Sequence, residues 1–400
     1  MYDVIVAGGG MSGVMAAVAA AREQRRVCLL ERGFMLGGMA TSGLVQPITC
    51  WGRSTSDGVK YVIGGTGRDF LSRLHEKNPG LATAMSTYGP VLDSEFLKLE
   101  LERLVLAHNI DLFYGIMLCG AKSQDGTIQS IQCCSNQGIH EFSAARYIDA
   151  TGDCALANAA GADCFIEKQG ISLMFILGGV NKEELFASPY QEIWKTHRGN
   201  NYRSATVFNH PREHTLCLNM TEVDAADGLA PEALAKTTCT CREQAWEILR
   251  VFREFVPGCT HAYIEQTAPS LGVRESRRIR GEYFLTGEYV TSGKEFPDTV
   301  ARSSCPIDIH GTSLLYSGLK KSFAIPFRSL IPCPIRNLLV TGRGISADHV
   351  AHSSLRRMAP GMALGEAAGI AATLADDNSK VDISRLQTKL EEYGAILQDE

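Results

Sequence analysis

The residues best suited to chemistry stand at the start of the chain, where glycines and an acid follow two apolar runs. Gly8, Gly10 and Gly13 come after the first run with the spacing G-x-G-x-x-G. Glu31 ends the second run. Glycines at this spacing permit a tight turn, the approach of a pyrophosphate to the backbone, and close packing of a helix on a strand. The pattern therefore predicts a dinucleotide site at a helix N-terminus.

The acid narrows the ligand. Glu31 is placed to accept hydrogen bonds from the hydroxyl pair of a ribose, and a carboxylate there disfavours a 2′-phosphate. We expect the neighbouring Met11, Ser12 and Arg32 to contact the same ligand. The alternative is a glycine-rich loop that only packs a strand on a helix, but the ordered strand, helix, second strand and acid favour a binding site.

A second group of small residues follows the acid directly. It comprises Gly37, Gly38, Met39, Ala40 and Thr41. A simple nicotinamide dehydrogenase does not need a glycine pair here, whereas backbone without side chains can run along the pyrophosphate and ribityl chain of a longer cofactor. The alternative is a loop that uses glycine for its positive φ, so both interpretations stay open.

Two more motifs end strand-like patterns, where ligands of doubly wound sheets bind. The first is Ala150-Thr151-Gly152-Asp153, in which Asp153 is alternatively a helix N-cap. The second is Gly342-Arg343, followed by a helix of small residues at about 360–375 that contains Gly361 and Met362. If the cofactor is a flavin, this helix would present its positive end to the N1–C2=O edge of the ring. A merely close-packed helix is the alternative.

In this order, the motifs resemble the FAD-dependent oxidoreductases of the glutathione-reductase-like superfamily. Segments 271–283, 306–311 and 345–352 narrow the resemblance to a bacterial group of stand-alone FAD-dependent oxidoreductases, distantly akin to succinate dehydrogenase and fumarate reductase flavoproteins. The resemblance covers nearly the whole chain. It implies an α/β fold with a Rossmann-like FAD-binding domain, made of a central parallel sheet, helices and a small β-meander, and an inserted α+β substrate domain.

The predicted FAD-binding domain comprises residues 1–164 and 331–400, and the substrate domain comprises 165–330, part of 265–290 returning to the first domain. Strand patterns that form the meander are predicted at 110–122, 127–134 and 139–149, and Met117 in the first of them is expected to contact the cofactor. Helices are predicted at 95–108, from 231 to just before 257, and at 383–397.

Three histidines are candidates for proton transfer, because histidine titrates near neutral pH. His349 and His352 lie between the returning strand and the small-residue helix, in a loop expected to face the flavin, and His310 is a weaker candidate. A structural role is the alternative for each. The spacing of His349 and His352 also suits a metal on a helix, but the sequence offers no evident third ligand, so we predict no metal site.

Arginines are the candidate substrate anchors. Arg274, Arg277 and Arg278 can clamp a carboxylate bidentately, or they form salt bridges with Glu275 and Glu282. The related family often has a glycine after His352, where this chain has two serines, so Arg356 and Arg357 receive no role. Cys50 stands in a loop that can reach the flavin, either as a buried thiol or as a covalent thioether.

The composition limits the classes of ligand and the cellular location that we expect for this protein. The 400 residues carry a net charge of −5, which does not favour nucleic acid, and no apolar run reaches the ~20 residues of a membrane helix. The 13 cysteines contain no C-x-x-C, which predicts reduced thiols and a cytoplasmic location. Met1 precedes a strand directly, so no signal peptide is expected.

The motifs together predict hydride transfer between a small polar organic substrate and flavin N5. Because no second G-x-G-x-x-G unit appears, the substrate itself or a redox partner protein would reduce the flavin; the oligomeric state stays open. The alternatives are a flavin-dependent reductase of an activated C=C bond, an NAD-dependent dehydrogenase, and a protein that binds a dinucleotide without catalysis.

Overall fold

The structure is a computed structural model that describes residues 1–56, 58–86, 89–199, 205–310, 315–317, 319 and 321–399. Side chains are described for the same residues except 315–317. Gly311, which ends the predicted segment 306–311, lies outside the described residues.

Twenty strands are described in these ranges. They are β1 (Tyr2–Ala7), β2 (Val27–Leu30), β3 (Gly52–Thr55), β4 (Gly58–Tyr61), β5 (Asp111–Phe113), β6 (Met117–Gln124), β7 (Thr127–Ser135), β8 (Gly138–Phe142), β9 (Ala144–Asp149), β10 (Cys164–Ile166), β11 (Phe175–Gly178), β12 (Val207–Asn209), β13 (Leu216–Leu218), β14 (Tyr263–Thr267), β15 (Arg277–Ile279), β16 (Thr299–Ser303), β17 (Ile307–Ile309), β18 (Leu315–Ser317), β19 (Phe323–Pro326) and β20 (Leu338–Val340).

Eleven α-helices are described in the same ranges. They are α1 (Met11–Arg22), α2 (Gly65–Lys77), α3 (Ser94–Ala107), α4 (Ala155–Ala159), α5 (Lys182–Ala187), α6 (Tyr190–His197), α7 (Pro231–Phe255), α8 (Gly287–Ser292), α9 (His349–Leu355), α10 (Met358–Leu374) and α11 (Ile383–Glu392). Short 3₁₀ helices lie at Gly38–Ala40, Phe327–Leu330, Gly342–Gly344 and Asn378–Lys380.

A five-stranded parallel sheet forms the centre, in the order β20-β9-β1-β2-β5. Its strands are apolar along their length because both faces are covered. Val4 and Val6 pack with residues of α1 and α10, whereas Ile5 on the opposite face packs with residues of the β-meander and α4. The carboxyl ends of β1, β9 and β20 consequently lie side by side, which confirms the predicted α/β fold with a central parallel sheet.

Small residues let α1 and α10 touch backbone to backbone. A Cβ on Gly365 would lie 2.1 Å from the carbonyl oxygen of Ser12, and one on Gly369 would lie 2.3 Å from that of Ala16. Close packing therefore explains the glycines in the middle of α10. It does not explain Gly361 in the first turns, where a Cβ would meet nothing closer than 3.8 Å.

The meander contains β6, β7 and β8 as an antiparallel sheet. The prediction of one strand over 139–149 is wrong, because the chain leaves the meander at Ser143 and β9 enters the central sheet. There Ala144 pairs with Tyr2 of β1, and β9 is also paired with β20. Pairing on both sides buries β9, and the stabilisation that comes from this burial arises only in the tertiary structure.

Another antiparallel sheet, in the order β12-β13-β11-β14, lies within the segment predicted as the substrate domain. Its core joins Phe175 and Leu218 to Phe252 of the long α7. Strand β15 pairs with β10, at the predicted boundary of the two domains. The division into two domains stays a prediction.

Helix bounds follow the local signals closely. Asp93 caps α3 by accepting hydrogen bonds from the backbone N–H groups of Glu95 and Phe96 at 2.9 and 3.0 Å. Helix α7 begins at Pro231, a residue suited to a first turn. Helix α11 ends at Glu392, before the predicted 397. Within the described part of the chain, no helix combines the length and apolarity needed to cross a bilayer.

Candidate cofactor site and active site

Four glycines surround an open space at the carboxyl edge of the central sheet. We call Gly10, Gly38, Gly342 and Gly361 the glycine cradle. A Cβ on Gly10 would meet nothing closer than the Cα of Gly38, at 3.9 Å, and one on Gly361 nothing closer than the Cα of Gly342, at 3.8 Å. The missing side chains at Gly10 and Gly361 are therefore not required by neighbouring protein atoms, which suits backbone that a ligand approaches.

The N-termini of α1 and α10 both lie at the cradle. Gly10 is the N-cap residue of α1, and Gly361 is in the first turns of α10. The hydroxyl oxygens of Ser12 and Thr341 lie 2.8 Å apart, which ties α1 to the end of β20. Two positive helix ends with unpaired N–H groups favour a ligand that carries phosphates.

Gly8 and Gly13 serve packing instead. A Cβ on Gly13 would lie 1.9 Å from the carbonyl oxygen of Gly8, so α1 rests directly on the turn. Gly8 has a φ of +104°, and a Cβ there would lie 2.4 Å from the carbonyl oxygen of Ala150. These two glycines bring the predicted Ala150 motif against the first turn.

Glu31 is held rigidly at the end of β2. Its Oε2 accepts a hydrogen bond from the N–H of Gly9, and its Oε1 accepts one from the N–H of Gly33, each at 2.7 Å. The N–H of Ile116 donates to the Glu31 carbonyl oxygen at 3.2 Å, which places the predicted Met117 beside the strand end that carries the acid. Arg32 follows in the same turn.

The second glycine cluster forms a tight turn beside the cradle. Gly37 has a φ of +101°, and its N–H donates to the carbonyl oxygen of Gly9 at 2.8 Å. Met39 and Ala40 belong to the short helix that follows. The hydroxyl of Thr41 donates to the Leu36 carbonyl oxygen at 2.6 Å, so this side chain stabilises its own loop.

The turn after β9 is bound to the turn after β20. Gly152 has a φ of +81°, and its carbonyl oxygen accepts a hydrogen bond from Nε of Arg343 at 2.7 Å. Arg343 also forms an ion pair with Asp153. Burial by itself would raise the pKa of Asp153, but Arg343 and a hydrogen bond from Ser276 lower it.

Asp153 does not cap the following helix, because Cys154 is the N-cap residue of α4. The carboxylate of Asp149 orders this turn instead, accepting hydrogen bonds from the N–H and the hydroxyl of Thr151 at 3.0 and 2.6 Å. The predicted Ala150, Thr151 and Gly152 therefore form a fixed turn at the sheet edge.

Two of the predicted histidines share one buried carboxylate. We call Glu275, Arg278, His349, His352 and Glu167 the Glu275 cluster. Nδ1 of His349 lies 2.7 Å from Oε2 of Glu275, and Nδ1 of His352 lies 3.5 Å from Oε1. Nε2 of His352 lies 3.0 Å from the carbonyl oxygen of Arg343, which connects this cluster to the end of β20.

Arg278 neutralises the same carboxylate. It forms ion pairs with both Glu275 and Glu167, so Glu275 exerts little net attraction on a histidine proton. Burial and the charge of Arg278 consequently leave the pKa of His349 below its ordinary value, and that of His352 well below it. Both imidazoles are neutral at neutral pH.

Glu167, Glu275 and His349 offer possible ligand atoms within 4.8 Å of one another. The guanidinium of Arg278 already pairs with both carboxylates. That this group holds no metal ion stays a prediction.

Arg274 and His310 belong to a different group, the Asp308 cluster, which comprises Asp308, Glu222, Arg274, His310, Arg356 and Arg357. Oδ2 of Asp308 lies 3.0 Å from Arg356 and 2.6 Å from Arg357, and Oδ1 lies 3.0 Å from Nε2 of His310. Nδ1 of His310 lies 3.4 Å from Glu222. Burial opposes ionisation, but the bond from His310 and both arginines hold the pKa of Asp308 below its usual value.

The three predicted arginines do not form one clamp. Arg274 donates to the Gly170 carbonyl oxygen at 2.5 Å, Arg277 donates to that of Asp153 at 3.1 Å, and Arg278 lies in the Glu275 cluster. The alternative salt bridge between Arg278 and Glu275 is present.

No role was assigned from the sequence to the other charged members of the Asp308 cluster, which are Asp308, Glu222, Arg356 and Arg357. The spacing of Asp308 in β17 and His310 directly after it was a usable signal, since residues two apart in extended backbone point to the same side. Nothing local in the sequence points to Glu222, which meets His310 only through the fold.

A sequence profile of the family described as FAD dependent oxidoreductase matches residues 3–390. A shorter match has 38% identity over 89 residues to (S)-6-hydroxynicotine oxidase of Paenarthrobacter nicotinovorans. It spans 22% of this chain and 18% of that enzyme. This segment alone supports no shared substrate.

Solved structures of low identity share the fold. The flavin-dependent brominase Bmp2, as a triple mutant, has a TM-score of 0.52 at 12% identity, with 98% of this chain and 84% of the other covered. The aromatic hydroxylase CabE from angucycline biosynthesis has a TM-score of 0.50 at 13% identity, with 98% and 66% covered.

The family match favours a flavoenzyme over a nicotinamide-only dehydrogenase and over a non-catalytic dinucleotide binder. The open cradle, its two helix N-termini and the fixed Glu31 carboxylate fit the phosphates and ribose of FAD. The chain belongs to the FAD-dependent oxidoreductase family, and FAD is its cofactor.

Proposed function

We propose that this enzyme transfers a hydride between a small polar organic substrate and N5 of FAD, with His349 as the acid–base group. The observation that carries the proposal is the contact of 2.7 Å between Nδ1 of His349 and the buried Glu275, close to the strand end that bears Gly342. FAD supplies the hydride acceptor, and the protein supplies orientation and proton transfer.

The geometry distinguishes the two histidines. The side chain of His349 is 33% exposed and that of His352 is 1% exposed. In the tautomer that carries the proton on Nδ1, the nitrogen that lies against Glu275, Nε2 of His349 has a lone pair for a substrate proton. His352 is enclosed between Glu275 and the Arg343 carbonyl, so we assign it a positioning role.

The cofactor residues follow from the same arrangement. The pyrophosphate would lie at Gly10 and the N-terminus of α1, and Glu31 would bind the adenosine ribose. The N-terminus of α10 would face the flavin edge that gains negative charge on reduction. The segment 165–330 would then cover the substrate.

A second candidate is reduction of an activated C=C bond, in keeping with the distant kinship to fumarate reductase flavoproteins that the motifs suggest. Burial, together with the charges of Arg357 and Arg274, lowers the pKa of Arg356 from 12.5 to about 9. A buried arginine with a lowered pKa is a better proton donor than an exposed one, and this observation favours the second reaction.

The test is anaerobic mixing of the enzyme with sugars, hydroxy acids and amino acids, while the flavin absorbance near ~450 nm is followed. A substrate that bleaches the flavin should do so ~10²–10⁴-fold more slowly in His349→Gln, with FAD still bound. The matched control is His140→Gln, on β8 of the meander, which should bleach at the wild-type rate.

The pH dependence of the bleaching rate provides a second test. Since the pKa of His349 is lowered, its base form persists below pH 6.5, and the wild-type rate should fall only in more acidic buffer. An unchanged rate and pH profile in His349→Gln would remove this residue from catalysis. Oxidation of the pre-reduced enzyme by unsaturated acids, lost in Arg356→Gln, would instead support the second candidate.

A further inference from the structure

An open groove lies between α1, α2 and α3, at the opposite end of α1 from the glycine cradle. Arg22, the last residue of α1, lines the groove, whereas Gly10 is the N-cap residue of α1 at the cradle. The groove has a volume of about 630 Å³, which is within the range of small-molecule sites. It is therefore a space distinct from the one that we assign to FAD.

One face of α2 supplies much of the groove lining. The residues of α2 that line it recur at the spacing of one helical face, and they are Thr66, Phe70, Arg73, Leu74 and Lys77. Phe70 and Leu74 belong to the buried core, and the lining residue Leu104 of α3 packs against that core. A ligand that lies along α2 would thus meet an apolar surface and cationic groups together.

Cationic side chains outnumber acidic ones in the lining by four to two. The cations are Arg22, Arg73, Lys77 and Arg103, and the acids are Asp69 and Glu100. This local excess of two positive charges contrasts with the net charge of −5 of the whole chain. A groove lined with an excess of one sign of charge attracts ligands of the opposite sign.

Two of these cations are held in place by one carboxylate. Nζ of Lys77 lies 2.7 Å from each carboxylate oxygen of Glu100, and Nη1 of Arg103 lies 2.6 Å from Oε1 of the same residue. Burial opposes ionisation, but the hydrogen bonds from Lys77 and Arg103 hold the pKa of Glu100 below its ordinary value. Glu100 is consequently ionised at neutral pH and fixes both cations at the groove.

The other two cations differ in how they are held. Nη1 of Arg22 donates to the hydroxyl of Thr66 at 2.7 Å, and its guanidinium lies 3.9 Å from the ring centroid of Tyr393. Arg73 is exposed, and its guanidinium forms no ion pair or hydrogen bond with another residue in the described part of the chain. Arg73 is therefore the cation that is available to a ligand.

We propose that this groove binds an amphipathic organic anion, of which an alkyl carboxylate is the simplest. The apolar body lies against Phe70, Leu74 and Leu104, and the carboxylate lies against Arg73. A guanidinium suits this role because its parallel N–H donors match the two oxygens of a carboxylate.

The test is equilibrium dialysis of the FAD-loaded enzyme against radiolabelled octanoate at low ionic strength. This readout measures binding and does not depend on the reaction at the flavin. We expect saturable binding. Octanol has the same chain length without the charge, and acetate has the charge without the chain, so each should compete at least ~10-fold more weakly than unlabelled octanoate.

Variants locate the binding in the groove. Arg73→Glu should weaken octanoate binding by at least ~10-fold, because it places a carboxylate against that of the ligand. Arg73→Gln, which only removes the charge, should give a smaller loss. Arg242→Glu makes the same charge reversal at an exposed position of α7 outside the groove, so this matched control should bind octanoate like the wild type.

Four results would overturn the proposal. They are an absence of saturable binding, wild-type affinity in Arg73→Glu, equal weakening in Arg73→Glu and Arg242→Glu, and competition by octanol or acetate as strong as that by octanoate. Far-UV circular dichroism of each variant checks that the fold is retained.

Discussion

The glycine cradle and the two charged clusters lie at the same edge of the sheet but are built in opposite ways. In the cradle, Gly10 and Gly361 lack side chains although no protein atom requires it: the nearest atom to a Cβ would lie 3.9 Å away at Gly10 and 3.8 Å away at Gly361. In the Asp308 cluster, the carboxylate of Asp308 contacts Arg356, Arg357 and His310 within 3.0 Å. One region leaves space, and the other fills it with paired charges.

This difference shows which features of a site depend on local sequence and which depend on distant residues. Space for a cofactor depends on the local backbone and on glycine, so short sequence motifs predict it. A paired buried charge depends on partners far along the chain, because an unpaired one costs several kcal/mol. A substitution that fills the cofactor space, one that disrupts close backbone packing and one that leaves a buried charge unpaired should therefore have different effects on the protein.

The largest effect is expected for Gly13→Ala. Its Cβ would lie 1.9 Å from the Gly8 carbonyl oxygen, so α1 would have to leave the sheet. We expect destabilisation by more than about 4 kcal/mol, or no folded protein. Urea denaturation followed by circular dichroism measures it, and a wild-type midpoint would show that Gly13 is not a packing glycine.

Gly10→Val should fold but lose FAD, because its side chain enters the open space of the cradle and meets no protein backbone closer than 3.9 Å at Cβ. The measurements are the ratio of flavin absorbance to protein absorbance and the far-UV spectrum. Gly80→Val, at an exposed turn, is the matched control and should retain FAD. Full occupancy in Gly10→Val would contradict the placement of the pyrophosphate.

Asp308→Asn should have the smallest of these three effects. We expect it to lower the free energy of unfolding by about 3 kcal/mol, because it leaves Arg356 and Arg357 without their carboxylate. The folded pKa of Asp308 lies below its ordinary 3.8, so its contribution is present above pH 3.8 and is lost as the pH falls through the folded pKa. Urea denaturation across pH should thus show a constant difference from wild type above pH 5, shrinking in stronger acid. Lys122→Ala, which breaks an exposed pair with Glu141, should leave the urea midpoint close to that of the wild type across the same pH range, because solvent screens exposed pairs.

Local signals placed several elements well. Asp93 caps α3, Pro231 opens α7, and the parallel strands follow their apolar runs. The prediction of one strand over 139–149 is wrong, because a strand-like run of residues carries no signal for the position at which the chain passes from one sheet to another. Likewise, the sequence left open whether Arg274, Arg277 and Arg278 clamp a carboxylate or form salt bridges, and the structure places Arg274 and Arg278 in different clusters.

The sequence by itself determined the FAD motif, since turn glycines, a strand-end acid and a helix N-terminus act within a few residues of one another. Only the tertiary structure decided which carboxylate lies against His349 and which residues surround Asp308. These contacts join segments far apart in the chain, and their energies depend on burial and on the charges of neighbours that no local spacing specifies.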